Sequence, residues 1–270
     1  MKRIVPALVV AAACVLQVTP ANAITGGTVD GTLHPQVGAL LVDADGQGLD
    51  LLCSGTMISA RVFLTAGHCT DLLTQLGVPV DDAEVTFDPS WDPAAPGITH
   101  RGTYFTDPEF GFSGQGGFSD PHDLGVVVLD EAVDVTPAQL PEQGVLNRLP
   151  LRTATFVAVG YGLNRDATRG GPHGLFGGRV REWVSQDFKS LQQSWLTLNS
   201  NLQTTNGGTC FGDSGGPHFY GDSTSLRLTA TTTGGDAQCV SLDKDYRLDT
   251  PSAAMFLNRF AQYGTYTYWH

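Results

Sequence analysis

Apolar positions along the chain come mostly in short runs that are separated by turn residues. The first clear series, from about residue 37 to residue 64, reads VGALLV, DADGQG, LLCSGTMIS and RVFLTAGHC. Runs of this length, bounded by Gly, Asp and Ser, predict strands joined by hairpins. DADGQG has the spaced aspartates of a calcium loop, but it lacks the downstream glutamate, so we interpret it as a hairpin turn.

Three later apolar runs, LGVVVLD, TATFVAVGYG and SLRLTATTTGG, predict further strands. Residues 88 to 121 are rich in Pro, Gly and Asp and predict long surface loops, and the stretch 135 to 144 predicts a linker between two halves. Near the C-terminus the apolar residues Ala254, Leu257 and Phe260 recur every three positions. This spacing predicts one amphipathic helix, with Ser252 as its N-cap.

The first 23 residues differ from the rest of the chain. Lys2 and Arg3 precede an apolar run from about residue 4 to residue 18, and the triplet ANA follows it. This pattern is typical of a secretory signal peptide with a small-x-small cleavage site, and the run is short for an uncleaved membrane anchor. We therefore expect residues 1–23 to be a signal peptide and the mature chain to be secreted and extracellular.

Length and charge limit the size of the core and the kinds of partner. The chain has 270 residues, with 15 Lys and Arg against 27 Asp and Glu, which gives a net charge of −12. This length is enough for one large core or two medium ones. An acidic chain without a basic cluster repels nucleic acid and anionic membranes, so we expect neither as a partner.

Secretion also affects how the cysteines are interpreted, because disulfides form outside the cell. Cys14 lies in the predicted signal peptide, which leaves Cys53, Cys69, Cys210 and Cys239 in the mature chain. An even number of cysteines in an oxidising compartment predicts two disulfides, and spacing alone leaves three connectivities open. Zinc binding is the weaker interpretation because there is no C-x-x-C pair. We expect no metal and no cofactor.

The stretch TCFGDSGGPHF carries a candidate nucleophile, Ser214, among glycines. A serine hydroxyl needs a base within hydrogen-bond reach, and that base needs a group that orients it. Read as G-x-S-x-G, the stretch matches the elbow of α/β-hydrolases, whose acid and histidine follow the serine. Only His218 and His270 follow Ser214, which does not suit that order. Upstream, His68 in LTAGHC and Asp123 in PHDLGVVVL give the order His, Asp, Ser.

Five motifs in this order resemble the chymotrypsin/trypsin-like serine endopeptidases: ITGG at 24–27, LTAGHC, DLGVVVL, GYG at 160–162 and GDSGGP. The resemblance covers nearly all of the mature chain. It implies an all-β fold of two antiparallel β-barrels with the active site between them and a C-terminal helix. The protease domain would span 24–270, with the N-terminal barrel at about 24–137 and the second barrel and terminal helix at about 138–270.

The resemblance also assigns roles to individual residues. Ser214 would attack the scissile carbonyl, His68 would accept and return its proton, and Asp123 would orient His68. The backbone N–H groups of Gly212 and Ser214 would form the oxyanion hole. The four cysteines would pair in chain order, as Cys53–Cys69 and Cys210–Cys239.

In the family, activation pairs a newly freed N-terminal amine with the aspartate just before the catalytic serine. The corresponding ion pair here is Ile24 with Asp213. Because Ile24 directly follows ANA, we expect signal peptidase itself to produce this terminus. The enzyme would then need no propeptide.

The resemblance places the specificity pocket at four small residues, Gly208, Thr209, Gly234 and Gly235. Trypsin-like relatives that select Lys or Arg have an acid six residues before the catalytic serine, and that position is Gly208 here. An open pocket lined by small groups favours an apolar or aromatic side chain. Asp236, Asp243 and Lys244 lie near this pocket in sequence and are the residues that would alter its preference.

The sequence therefore predicts a secreted serine endopeptidase that hydrolyses peptide bonds through a Ser-His-Asp triad and an acyl-enzyme. We expect a monomer that acts on protein or peptide substrates and has protein protease inhibitors as further partners. The alternative is a catalytically silent, protease-like binding protein, although such proteins typically lose a triad residue. We interpret the remaining histidines as structural: His34, His100, His122, His173, His218 and His270.

Overall fold

The structure is a computed structural model that describes residues 24–111, 118–165, 174–204 and 206–270. The predicted signal peptide with Cys14 lies outside the described residues, and so does His173. In the described part of the chain, no helix is long and apolar enough to cross a membrane.

A closed antiparallel barrel of six strands is formed by the first half of the chain. Its elements and the preceding strand β1 have these bounds: β1 Thr28–Val29, β2 Val37–Val42, β3 Asp50–Met57, β4 Val62–Thr65, α1 Gly67–Gln75, β5 Ala83–Thr86, β6 His100–Thr106 and β7 Gly125–Leu129. The order around the barrel is β2-β3-β4-β7-β6-β5. β2, β4 and β7 are buried along their whole length, as their uninterrupted apolar runs require.

The strands predicted between residues 37 and 64 are confirmed, and DADGQG joins β2 to β3 as an antiparallel hairpin. Two elements differ from the prediction. β6 lies inside the stretch that predicted only loops, and its buried Gly102 and Tyr104 show the alternation of a strand. RVFLTAGHC is a strand only as far as Thr65 and then opens α1, which buries Cys69 and Leu73 on one side.

The second half of the chain forms the second barrel. Its strands and helices have these bounds: β8 Leu140–Pro141, β9 Thr155–Gly160, β10 Asn164–Arg165, β11 Leu175–Phe176, β12 Glu182–Leu191, β13 Trp195–Asn199, β14 Pro217–Tyr220, β15 Leu228–Gly235, β16 Leu242–Arg247, α2 Pro251–Leu257 and β17 Tyr268–Trp269, with 3-10 helices at Val145–Asn147, Leu151–Thr153, Leu202–Thr204 and Asn258–Tyr263. The order β12-β13-β16-β15-β14-β9 closes into a ring because β9 also pairs with β12. The predicted fold of two antiparallel barrels with a C-terminal helix is confirmed.

The predicted terminal helix has a different N-cap from the expected one. The Thr250 hydroxyl accepts a hydrogen bond from the Ala253 N–H at 3.2 Å, which makes Thr250 the cap. The Ser252 hydroxyl instead donates to Asp120 at 3.0 Å. The N-cap is therefore the residue directly before Pro251, and proline is favoured at the first position of a helix.

The first described residues, from Ile24 on, pack on the second barrel although they precede the first barrel in the sequence. β1 pairs with β12, and the backbone of Thr25 exchanges two hydrogen bonds of 3.0 Å with Gly208. The Ile24 side chain is fully buried and packs with Ala158 and Val184. This segment consequently reaches the segment that leads to Ser214.

Both barrels contribute to one hydrophobic core, which fixes the cleft between them. Val37 and Leu64 from the first barrel share this core with Val159 and Phe219 from the second. Two disulfides, with the pairing that the resemblance implies, brace the two sides of the cleft: Cys53–Cys69 joins β3 to α1, and Cys210–Cys239 joins the segment before Ser214 to the loop before β16.

Candidate active site

His68 and Asp123 meet at the wall of the first barrel. His68 lies in the first turn of α1, and Asp123 lies two residues before β7. The His68 Nδ1 atom is 3.0 Å from Oδ2 and 3.1 Å from Oδ1 of Asp123, and the His68 backbone N–H donates to Oδ1 at 2.8 Å. The carboxylate is fully buried, whereas the imidazole is 30% exposed. Its other nitrogen is therefore available on the cleft side.

Two opposing effects set the pKa of His68. Burial lowers the pKa of the imidazole, because it disfavours the charged ring. The hydrogen bond and the negative charge of Asp123 outweigh burial, so the pKa lies above its ordinary value. The arrangement thus stabilises an imidazolium, which is the state that a general base reaches after it accepts a proton.

Ser214 faces His68 across the cleft from the second barrel. Both residues line one cavity of about 490 Å³. The Ser54 N–H donates to the Ser214 carbonyl at 2.9 Å, and the Gly215 N–H donates to the Thr232 carbonyl at 2.7 Å, so both barrels hold the backbone of the serine. Among the described residues no hydrogen bond joins the Ser214 hydroxyl to His68. Such bonds are often long in unliganded enzymes and shorten when substrate binds.

Two backbone N–H groups beside Ser214 have no acceptor within the described part of the protein. They belong to Gly212 and to Ser214 itself. The φ angle of Gly212 is 97°, a left-handed value that a residue without Cβ adopts at low cost. The carbonyl of Phe211 accepts a 2.7 Å hydrogen bond from the Leu163 N–H. Since a trans peptide directs its N–H opposite to its C=O, this bond fixes the direction of the Gly212 N–H.

Ser54 connects this loop to the end of β9. Its hydroxyl donates to the Gly212 carbonyl at 2.9 Å and accepts from the Tyr161 N–H at 3.0 Å. Both Ser54 and Tyr161 are fully buried. The hydroxyl therefore satisfies two backbone groups that water does not reach.

Replacing Ser54 by alanine is expected to lower the free energy of unfolding by about 1–3 kcal/mol, because it leaves these two groups without a partner. Denaturant unfolding of the secreted chain measures the change. The matched control is Ser90→Ala at an exposed serine, which should stay within about 0.5 kcal/mol of wild type. Equal effects of the two substitutions would show that the Ser54 hydroxyl does not stabilise the loop.

The Ile24 nitrogen has a different partner from the expected Asp213. It donates to Oε2 of Glu182 on β12 at 2.9 Å. Asp213 is fully buried and accepts hydrogen bonds from the N–H groups of Gly162 and Cys210 at 2.8 and 2.9 Å. Burial raises the pKa of Asp213 to about 8, and the charges of Asp243 and Glu182 add to the rise. Glu182 stands outside every recognisable motif, so no sequence signal pointed to it.

Three of the four expected pocket residues line the cleft, namely Thr209, Gly234 and Gly235. Gly208 does not line it, and its backbone pairs with Thr25. The remaining lining is also mostly small, and Phe211, which is 58% exposed, stands at the cleft.

Asp236 lines the cleft, but each of the three charged residues near the pocket has other partners. The Asp236 carboxylate accepts hydrogen bonds from the N–H groups of residues 238, 240, 241 and 242. Asp243 is fully buried behind Thr209, whose N–H donates to it at 3.0 Å, and it also contacts Gln186. Lys244 does not reach the pocket, since its Nζ lies 3.9 Å from the centre of the Trp195 ring.

The described residues contain one group with the spacing of metal ligands, formed by Cys53, His68 and Cys69. Both sulfur atoms are joined in a disulfide and so offer no thiolate. Three other histidines of the described ranges have buried acidic partners: His34 contacts Asp30, His218 Nε2 lies 2.9 Å from Asp245, and His122 Nδ1 lies 3.8 Å from Asp107.

Comparisons with known proteins agree with this architecture. The sequence model of the trypsin family matches residues 25–256. Among 815 matching chains of solved structures is a mutant of human heparin binding protein. It is 17% identical, with a TM-score of 0.64, and the match covers 88% of this chain and 96% of that one. No curated protein sequence matches. The structural likeness shows the fold, and the family match over most of the chain shows that this protein belongs to the trypsin family.

Proposed function

We propose that this protein is an active serine endopeptidase. The observation that carries the proposal is the 3.0 Å contact between His68 and the buried Asp123 in the same cleft as Ser214. A chain that serves only for binding has no need to keep a buried carboxylate on a histidine opposite a serine. The proposed substrates are proteins or peptides, with protein protease inhibitors as further partners of the monomer.

In the proposed reaction, the Ser214 oxygen attacks the carbonyl carbon of the scissile peptide. His68 accepts the serine proton and Asp123 stabilises the resulting imidazolium. The C–N bond then breaks, and His68 gives the proton to the leaving amine, which produces an acyl-enzyme. Water repeats the sequence with His68 as base, so that the ester is hydrolysed and Ser214 regains its proton.

The N–H groups of Gly212 and Ser214 are the proposed donors to the oxyanion. Their lack of acceptors among the described residues supports this role. Donors held in place before the reaction cost no reorganisation when negative charge develops, and each is typically worth about 2.7–4 kcal/mol in the transition state. The bond between the Phe211 carbonyl and Leu163 holds one of them in direction.

We place the protein outside the cell, in the form that starts at Ile24 after signal-peptide removal. Two disulfides suit an oxidising compartment. The burial of the Ile24 side chain and its nitrogen in the second barrel supports the same start. No propeptide is then required for activity.

For the residue before the cleaved bond, we propose an apolar or aromatic side chain. The pocket is lined by Thr209, Gly234 and Gly235, while the carboxylate of Asp236 is occupied by backbone N–H groups. The rest of the lining is mostly small, and it binds such a side chain by excluding water.

One experiment tests activity and preference together. The purified secreted protein is treated with a fluorophosphonate probe, which reacts only with an activated serine, and its cleavage of a mixed peptide library is profiled. We expect labelling of Ser214 and cleavage after Phe, Tyr or Leu. Absence of both would favour the silent binding protein. Cleavage after Lys or Arg would contradict the apolar pocket and make Asp236, which lines the cleft, and Asp243 the first acids to replace.

A further inference from the structure

We infer that a second buried histidine–aspartate pair, His218 with Asp245, positions the nucleophile loop (residues 212–216) through the hydroxyl group of Thr232. Both members of the pair are positioning residues, because they act on Ser214 through their neighbours and do not touch the substrate. The inference deepens the proposed function and rests on it, since it concerns the placement of a catalytic serine. The sequence alone indicated only a structural histidine at position 218.

The pair lies on neighbouring strands behind the cleft. His218 is on β14, four residues after Ser214, and Asp245 is on β16. β15 lies between these strands, and its Thr232 stands directly opposite Asp245 in the pairing of β15 with β16. The side chains of His218 and Asp245 have no exposed surface, and Nε2 of the histidine lies 2.9 Å from Oδ1 of the aspartate. Thr232 also lines the cleft, so it joins the buried pair to the active site.

The hydrogen bonds of Thr232 determine where the His218 ring carries its proton. The Thr232 hydroxyl donates to the Gly216 carbonyl at 3.2 Å and lies 2.9 Å from Nε2 of His218. A hydroxyl has only one proton to donate. Because that proton goes to Gly216, the hydroxyl accepts from His218, and Nε2 must be protonated. The carboxylate of Asp245 beside Nε2 favours a proton on the same nitrogen.

The backbone of Thr232 holds the nucleophile loop at two further points. Its N–H donates to the Gly216 carbonyl at 2.9 Å, and its carbonyl accepts from the Gly215 N–H at 2.7 Å. Glycine has the least restricted backbone, so these two residues need such contacts to keep a fixed position. A continuous series of hydrogen bonds thus runs from His218 through Thr232 to the residues that directly follow Ser214.

The surroundings of His218 favour a charged ring. Burial lowers the pKa of His218, but the negative charge of Asp245, with smaller contributions from Asp243 and Asp213, outweighs burial, so the pKa lies above its ordinary value. The imidazolium in turn offsets part of the negative charge of these buried acids. Removing only one charge of such a pair leaves the other buried and unpaired, which is strongly destabilising.

The first test compares two uncharged replacements of His218 that differ in reach. The amide nitrogen of glutamine can take the place of Nε2 and donate to Thr232, whereas that of asparagine is too short to reach it. Both variants leave Asp245 without the imidazolium, so a purely structural role predicts equal effects. We expect His218→Asn to lower kcat for peptide hydrolysis about tenfold or more, with a much smaller change in KM, and His218→Gln to keep most of the wild-type kcat. The rate of fluorophosphonate labelling of Ser214 should change in parallel with kcat.

A double-mutant cycle tests the route through Thr232. Thr232→Val removes the hydroxyl and should lower the labelling rate to a similar degree. It should add little to His218→Asn, because both changes break the same series of hydrogen bonds. The matched control is Thr231→Val on the same strand, at a buried threonine whose hydroxyl has no hydrogen-bond partner among the described residues. This control should leave the labelling rate unchanged.

Amide hydrogen exchange at Gly215 gives a readout that needs no activity. The Gly215 N–H is bonded to the Thr232 carbonyl, so its exchange reports how firmly β15 holds the loop. We expect faster exchange in His218→Asn and in Thr232→Val than in wild type, and exchange close to that of wild type in His218→Gln.

Three results would each overturn the inference: equal effects of the two His218 variants, additive effects in the cycle, or unchanged exchange at Gly215. If neither His218 variant folds, His218→Leu combined with Asp245→Val removes both charges at once and should match Thr232→Val in labelling and exchange. A wild-type labelling rate in that chain, or its failure to fold as well, would also overturn the inference. If the wild-type chain is not labelled, the proposed function fails, and exchange at Gly215 still decides whether the pair holds the loop.

Discussion

Replacing Ser214 by alanine is expected to lower kcat for peptide hydrolysis about 10⁶-fold, the size of loss that follows removal of the nucleophile from a Ser-His-Asp triad. The oxygen that forms the acyl-enzyme disappears, while the N–H groups of Gly212 and residue 214 remain. The residual rate should therefore stay above that of water alone. The measurement is single-turnover and steady-state hydrolysis of a peptide chosen from the cleavage profile.

The fold should be unaffected by this substitution. The Ser214 backbone is held by the N–H of Ser54, and alanine keeps that carbonyl. The melting temperature and the binding of an uncleaved peptide should thus remain close to those of wild type. Ser90→Ala, at an exposed serine, is the matched control and should keep full activity. Activity of the Ser214→Ala variant within tenfold of wild type would mean that another group is the nucleophile.

The three candidate catalytic residues lie in short motifs, and they were therefore predictable from the sequence. His68 and Asp123 each stand at the edge of an apolar run, Ser214 stands among glycines, and their order separates this arrangement from an α/β-hydrolase. Structure brings His68 and Asp123 within 3.0 Å and places Ser214 in the same cleft. The disulfide pairing followed only from the resemblance, because spacing leaves three connectivities open.

Contacts that join distant parts of the chain could not be predicted. Glu182 lies 158 residues from Ile24, and its β-strand has no distinguishing sequence. It reaches the Ile24 nitrogen because the start of the chain crosses to the second barrel, and no local pattern encodes that crossing. Ser54 is a similar case: its neighbour Cys53 was singled out, whereas the hydroxyl that holds Gly212 was not.

At the specificity pocket, closeness in sequence did not predict which residues line the cleft. Gly208 stands where trypsin-like relatives have the acid that selects Lys or Arg, but its backbone is hydrogen-bonded to Thr25 and it does not line the cleft. Lys244 follows Asp243 directly and points elsewhere, because successive residues of a strand face opposite sides. It contacts Trp195, while Asp243 is buried behind Thr209.

Replacing Asp123 by asparagine is expected to lower kcat about 10⁴-fold at neutral pH, although the side chain has nearly the same size. The asparagine amide donates a hydrogen bond to His68 Nδ1, so the ring proton moves to Nε2. That nitrogen can then no longer accept the proton of Ser214. The loss arises from the tautomer and from the missing negative charge, because the site otherwise keeps its shape.

The pH profile distinguishes this explanation from general damage to the site. The hydrogen bond and charge of Asp123 raise the pKa of His68 against the effect of burial. Without them the pKa should fall, and the neutral ring should persist to lower pH. The acid limb of kcat/KM should therefore move to lower pH in Asp123→Asn while the maximum falls. Asp130→Asn, at the exposed residue that follows β7, should leave both the acid limb and the maximum unchanged. An acid limb that stays in place would mean that Asp123 does not control the protonation of His68.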